Sequence, residues 1–216
     1  MKYLITGLLD KKASGYPKNL SGLIDPPEIY VKGEIRAEDQ MAIAVVGTRN
    51  PSKYGMEMAK IFTRALASNG VTIVSGLARG VDTIAHKTAL DVSGRTIAVF
   101  GSGLNIIYPP ENKKLADKIM KNGALVSEFP ENTKPLPKNF LARNRIISGL
   151  SLGVLVIEGG SRSGTLSTAA HAANQGREVF AIPGRVDNPA SFAPNFLIEN
   201  GAKMVRSPKD ILDAFV

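Results

Sequence analysis

From Met41 onward, short runs of β-branched and other apolar residues alternate with stretches whose apolar positions recur at helical spacing. The runs Ile43 to Val46, Val71 to Val74, Ile97 to Phe100, Ala124 to Val126, Val154 to Ile157, Glu178 to Ile182 and Lys203 to Val205 predict strands. Between the first two, Met58, Ile61, Phe62, Ala65 and Leu66 fall at i, i+3, i+4, i+7 and i+8, which predicts a helix burying those side chains and stopped by Gly70. Ser207, Pro208 and Asp210 predict the start of a last helix, with Ser207 as its cap.

Strands separated by helices need crossover connections, which make a sheet parallel and cover both its faces. The expected fold is therefore α/β: a doubly wound, mostly parallel sheet, extended and Rossmann-like, over residues 41–216. Residues 1–40 are punctuated by Gly15, Pro17, Gly22, Pro26, Pro27 and Gly33. They read as a small N-terminal extension packed on the core, with Ile29, Tyr30 and Val31 as a short edge strand.

In doubly wound sheets ligands bind beyond the carboxyl ends of the strands. Four such ends carry small residues here: Gly47 to Ser52, Ser75 to Gly80, Gly101 to Gly103, and Gly159 to Thr165. The last is the most informative, because the apolar run Val154 to Ile157 leads into Gly159, Gly160, Ser163, Gly164 and Thr165 at the opening of a helix, where backbone N–H groups can meet a phosphate. Arg49 and Arg79 stand beside two of the other turns, and Arg143 and Arg145 lie on a separate upstream element.

Composition narrows the chemistry. The chain has 216 residues, no cysteine and two histidines, which excludes disulfides, thiolate metal sites and a cysteine nucleophile, and argues against a multi-histidine metal centre. A formal charge of +8 favours an anionic partner such as nucleic acid. No apolar run approaches the roughly 20 residues that cross a bilayer, and no signal-peptide plan is visible, so a cytoplasmic location without membrane contact is expected.

Several enzyme signatures fail. Gly101, Ser102 and Gly103 begin like a dinucleotide fingerprint, but Ile106 stands at the third glycine and Tyr108, Pro109 and Pro110 follow instead of a helix. No P-loop segment exists. Neither His86 nor His171 lies in a nucleophile-elbow context; His86 falls four residues after Asp82, a spacing that suits a local hydrogen bond, and His171 sits in an Ala-rich helix as a packing or capping residue.

Pro130, Pro135 and Pro137 lead into a predicted helix from Asn139 to Leu150 that carries Phe140, Arg143, Asn144 and Arg145. An aromatic ring interleaved with guanidinium groups suits single-stranded nucleic acid, whose bases stack while its phosphates are held.

The ordered segments VGTRNPSKYG (46–55), SGLARGVDTIAHKTAL (75–90), GSGLNIIYPPEN (101–112), SEFP (127–130), RNRIISGLS (143–151), SRSGTLSTA (161–169) and GREVFAIPG (176–184) together resemble the DprA/Smf family of DNA-processing proteins. The earlier YPKNL and DPPEIYVKG segments look like that family's lead-in. The resemblance implies single-stranded-DNA binding, protection of incoming DNA, a homodimer, and loading of the RecA recombinase during natural transformation. By motif it implies DNA-facing roles for Arg49, for Ser75, Gly76 and Arg79, for Arg143 and Arg145, and for Ser163, Gly164 and Thr165, with Lys138 and Phe140 added by proximity. No catalytic residue, metal or cofactor is implied.

The chain also departs from that pattern. Ser191, Phe192, Ala193, Pro194 and Asn195 stand where the family has a serine-x-glycine-x-asparagine segment, and Leu141 follows Phe140 where proline is frequent. The N-terminal helical and C-terminal winged-helix-like domains of many members are not read in this sequence, so interactions of those domains do not carry over. Two rival readings remain at this point. One is a phosphoribohydrolase-like enzyme, against which the loop lacks the expected proline and places Glu158 on the wrong side. The other is a mononucleotide-sensing module.

Overall fold

Residues 7–13 and 15–215 are described in this computed structural model. In chain order they form β1 (Leu8–Leu9), α1 (Lys18–Ser21), β2 (Ile29–Gly33), β3 (Ala42–Val46), α2 (Lys53–Ser68), β4 (Thr72–Ser75), α3 (Val81–Asp91), β5 (Thr96–Val99) and α4 (Lys113–Ile119). There follow β6 (Gly123–Ser127), α5 (Pro137–Gly149), β7 (Gly153–Val156), α6 (Gly164–Asn174), β8 (Glu178–Ala181), α7 (Phe192–Glu199), β9 (Lys203–Met204) and α8 (Lys209–Leu212).

Among the described residues the strands make one nine-stranded sheet in the order β1, β2, β6, β5, β4, β3, β7, β8, β9. From β6 to β9 every neighbouring pair is parallel, in register at Ala44 with Val74 and with Val154. β2 joins antiparallel to β6, with Val31 opposite Val126, and β1 joins antiparallel outside β2. The Ile29 strand is thus paired on both sides rather than lying at an edge, because Leu8 and Leu9 cover its outer ladder.

The chain winds outward from β3 through β4 and β5 to β6, and α5 then returns it to β7 on the other side of β3. Strand order reverses between β3 and β7, and such a reversal splays the following loops apart into a crevice. Phe62 and Leu66 of α2 and Ala85 of α3 pack on one face with Ile43, Val45 and Ile73. Ile146 and Ile147 of α5 and Ala169 and Ala172 of α6 pack on the other with Val46, Val74 and Val154. Fully burying a side chain such as Phe62 stabilises the fold by about 1.5–3 kcal/mol.

Three elements differ from expectation in detail. The buried stripe of α2 is Gly55, Ala59, Phe62, Thr63, Leu66 and Ala67, while Ile61 is 43% exposed. Small residues at Gly55, Ala59 and Ala67 let the helix approach its neighbours closely, so the stripe takes them in beside Phe62 and Leu66 and leaves Ile61 outside. The arginine-bearing helix α5 starts two residues early, with Pro137 inside its first turn. Its terminal counterpart α8 is capped at Pro208 rather than Ser207, yet the Asp210 carboxylate still accepts the N–H groups of Arg206 and Ser207, at 2.7 and 2.9 Å.

Candidate nucleic-acid interface

A cavity of about 620 Å³ opens at the carboxyl ends of β3 and β7, where the strand order reverses. Gly47, Thr48 and Arg49 follow β3 into it, Ala78 and Asp82 come from the loop and helix after β4, and Tyr108 reaches over from beyond β5. Phe140, Arg143 and Asn144 of α5 form one side, and Arg162 to Thr165 at the start of α6 form the other.

The α6 wall is built to attract an anion. Ser163 takes the extended N-cap conformation, but its hydroxyl caps nothing, and its buried Oγ has no partner among the described residues. The first N–H groups of an α-helix have no intrahelical acceptor and carry the positive end of its dipole. Asn144 Nδ2 and Thr168 Oγ1 each donate to the Gly164 carbonyl at 3.3 Å, which fixes this first turn against α5.

Behind the cavity lies a buried charge cluster. Arg143 is 4% exposed; its Nη1 donates to the Gly76 carbonyl at 2.8 Å and to the Val99 carbonyl. Asp82 accepts the N–H groups of Gly76 and Ala78, at 3.2 and 3.3 Å. Burial pushes the Asp82 carboxyl up, against the pull of the Arg143 guanidinium and those N–H groups. Burial likewise lowers Arg143 to about 10, with Asp82 opposing it. His86 Nδ1–H donates at 2.7 Å to Thr96 Oγ1, whose own proton goes to the Ile73 carbonyl, rather than pairing with Asp82, and burial followed by the Arg143 charge lowers it to about 3.

The cavity brings together Arg49, Phe140, Arg143, Ser163, Gly164 and Thr165 of the residues expected from sequence. Gly76 and Arg79 line a small recess next to it, shared with Arg49, Tyr108 and Phe140. Arg79 is exposed and paired with Glu111. Lys138 is exposed on the first turn of α5 and does not contribute to the lining.

Two expectations need correcting on geometry. Ser75 is fully buried and its hydroxyl donates to the Val45 carbonyl at 2.7 Å, so it has no surface to offer a ligand. Arg145 points away from the cavity and pairs with Glu128, because residues two apart on a helix diverge by about 200°. Gly76 also has a different reason: a Cβ there would stand 2.5 Å from Arg143 Nη1, so the glycine makes room for the guanidinium.

Thr48, Asp82, Tyr108, Asn144 and Arg162 line the cavity without having been singled out as site residues. Arg162 and Asn144 lie inside segments already marked, SRSGT and RNR, and adjacency to those motifs was the available signal. Tyr108 had none, since its ring reaches the site only through the fold, 5.5 Å from that of Phe140. Glu158 is also placed: 1% exposed, it accepts the Ser52 N–H and hydroxyl behind the loop and does not line the cavity.

Comparison with known proteins places the chain in a family. The family model described as DNA recombination-mediator protein A matches residues 7–216. Protein Smf of Escherichia coli (strain K12) is 50% identical over 208 residues, covering 95% of this chain and 56% of the relative. DNA processing protein DprA of Bacillus subtilis (strain 168) is 44% identical over 200 residues, 92% of this chain and 67% of the relative. The chain thus spans somewhat more than half the length of the first of these relatives and two thirds of the second.

Among solved structures, DNA processing protein A of Streptococcus pneumoniae superposes with a TM-score of 0.89 at 42% identity, over 98% of this chain and 74% of that one. The Helicobacter pylori protein, whose structure concerns a single-stranded DNA binding mode, gives 0.85 at 32% identity, over 100% and 98%. Among the described residues no helix is long and apolar enough to cross a membrane.

Proposed function

This chain belongs to the DNA recombination-mediator protein A family, and from that premise we propose that it binds single-stranded DNA in the switch-point crevice and performs no chemistry on it. In this reading the protein acts in the cytoplasm as a homodimer, protects incoming DNA and loads the RecA recombinase during transformation or recombination. In the same reading residues 41–216 are the DNA-binding domain and residues 1–40 a small N-terminal extension, whose described part adds β1 and β2 to the sheet.

The observation that carries the reading is the convergence on one cavity of an exposed arginine, a helix N-terminus and an aromatic pair: Arg49, Ser163 to Thr165, and Phe140 beside Tyr108. Arginine and free N–H groups suit phosphates, and the aromatic rings suit unpaired bases, which a duplex keeps stacked away. The single-stranded DNA binding mode described for the Helicobacter pylori protein supports the same class of ligand.

Fluorescence anisotropy of labelled oligo-dT and of a duplex of equal length, each across a salt series, tests the proposal. Oligo-dT is expected to bind more tightly, with log K falling linearly in log salt. Equal affinity for duplex, or a flat salt response, overturns it, and full displacement of oligo-dT by stoichiometric AMP would favour a mononucleotide sensor. RecA filament growth on oligo-dT, accelerated by the protein, tests the loading step separately.

A further inference from the structure

Arg143 sits deep in the crevice. Its Nη1 is held by the Gly76 and Val99 carbonyls, which lie at the carboxyl ends of β4 and β5. Its Nε is buried and has no partner among the described residues, so a phosphate cannot reach it without moving the side chain. Its Cζ lies 5.9 Å from the centroid of the Phe140 ring, so the guanidinium stands beneath the ring.

Two close approaches complete this stack. A Cβ on Gly76 would meet the Arg143 guanidinium, and a Cβ on Gly101 would stand 2.6 Å from Phe140 Cδ1. The ring is therefore seated between Gly101, the guanidinium and Tyr108, and it is only partly exposed to the cavity. Asp82 faces the same group and fixes the Gly76 turn through two N–H bonds. The exposed cations on the lining are Arg49 and Arg162.

We propose that Arg143 is a positioning residue, carrying Phe140 as a base-stacking platform instead of holding a phosphate, with Asp82 as its buried counter-charge. The inference rests on the single-strand reading of the crevice and divides the work among its arginines: Arg49 and Arg162 meet the backbone, while Arg143 shapes the surface on which a base lies. A lysine at 143 keeps the charge but lacks the flat guanidinium that lies against the ring while its Nη1 donates to both carbonyls.

The test reads two signals at once from an oligo-dT carrying one 2-aminopurine, whose fluorescence is quenched by stacking. Arg49→Ala is expected to flatten the salt slope by about 0.7 and to keep the quench at saturating protein. Arg143→Lys and Phe140→Leu are expected to weaken binding by about tenfold at every salt concentration, leave the slope unchanged and abolish the quench. The double variant Arg143→Lys, Phe140→Leu is expected to be no weaker than either single one.

Arg143→Lys with near-normal affinity and quench, together with Arg143→Gln that flattens the slope, overturns the proposal and makes Arg143 a phosphate ligand. If thermal melting shows that Arg143→Lys does not fold, Asp82→Asn gives the same reading: loss of quench at unchanged slope supports it, and wild-type behaviour overturns the counter-charge role. Wild-type binding by both Arg49→Ala and Phe140→Leu refutes the crevice reading itself, an outcome distinct from failure of the Arg143 proposal.

Discussion

Ser52 and Glu158, 106 residues apart, tie the two sides of the strand-order reversal together: the Ser52 N–H and hydroxyl both donate to the buried Glu158 carboxylate, at 2.9 and 2.6 Å. The Thr48 N–H donates to the Glu158 carbonyl at 2.7 Å, so the loops after β3 and β7 are locked by side chain and backbone alike. The carboxylate also sits at the N-terminus of α2, where the helix dipole favours a negative charge.

That relationship predicts the behaviour of a Glu158→Ala variant. Leaving the Ser52 donors unpaired should destabilise the protein by about 1.5–3 kcal/mol, read as a lowered midpoint in urea. Oligo-dT affinity of the folded fraction should stay within a few-fold of wild type, because the carboxylate holds loops and does not line the cavity.

Arg79 is exposed but paired with Glu111, which lies at the rim leading into α4. The Arg79 partner holds the Glu111 carboxyl below its usual range, so Glu111 competes with any phosphate for that arginine. Glu111→Gln should therefore tighten oligo-dT binding at low salt, by at most about fivefold, with the gain vanishing at high salt. Anisotropy at two salt concentrations checks this.

His86 predicts a pH dependence. Its folded value near 3 lies below the ordinary 6.5, so between these limits the unfolded chain binds the extra proton. Stability is then fully present above about pH 6.5 and falls as the pH drops toward 3, with a contribution from this one group of about 2 kcal/mol by pH 5. Urea unfolding at pH 7 and pH 5 should show a smaller acid loss for His86→Gln than for wild type, by about that amount.

How far the sequence reveals this molecule differs between layers. The strands and the mostly parallel, doubly wound sheet are legible because apolar runs bounded by glycine have the length of buried parallel strands, and the run Val154 to Ile157 ends in the loop that forms one cavity wall. The cluster around Arg49 and Ser163 to Thr165 follows from placing glycine-bearing loops at strand ends.

What stayed hidden is direction. Arg143 and Arg145 look equivalent in the string RNR, yet only knowledge of which side of α5 meets β4 and β5 separates a buried guanidinium from one paired with Glu128. Ser75 looks like a loop residue, but as the last position of β4 its side chain turns back to the Val45 carbonyl. Tyr108 enters the site through a contact with Phe140 that no local pattern encodes.

Hydrogen exchange of the protein with and without saturating oligo-dT tests most directly whether the switch-point crevice is the single-strand site. Slowed exchange is expected in residues 47–50, 137–145 and 160–168, the segments that converge on the cavity. Slowed exchange confined to other surfaces, with those three segments unchanged, would contradict the account.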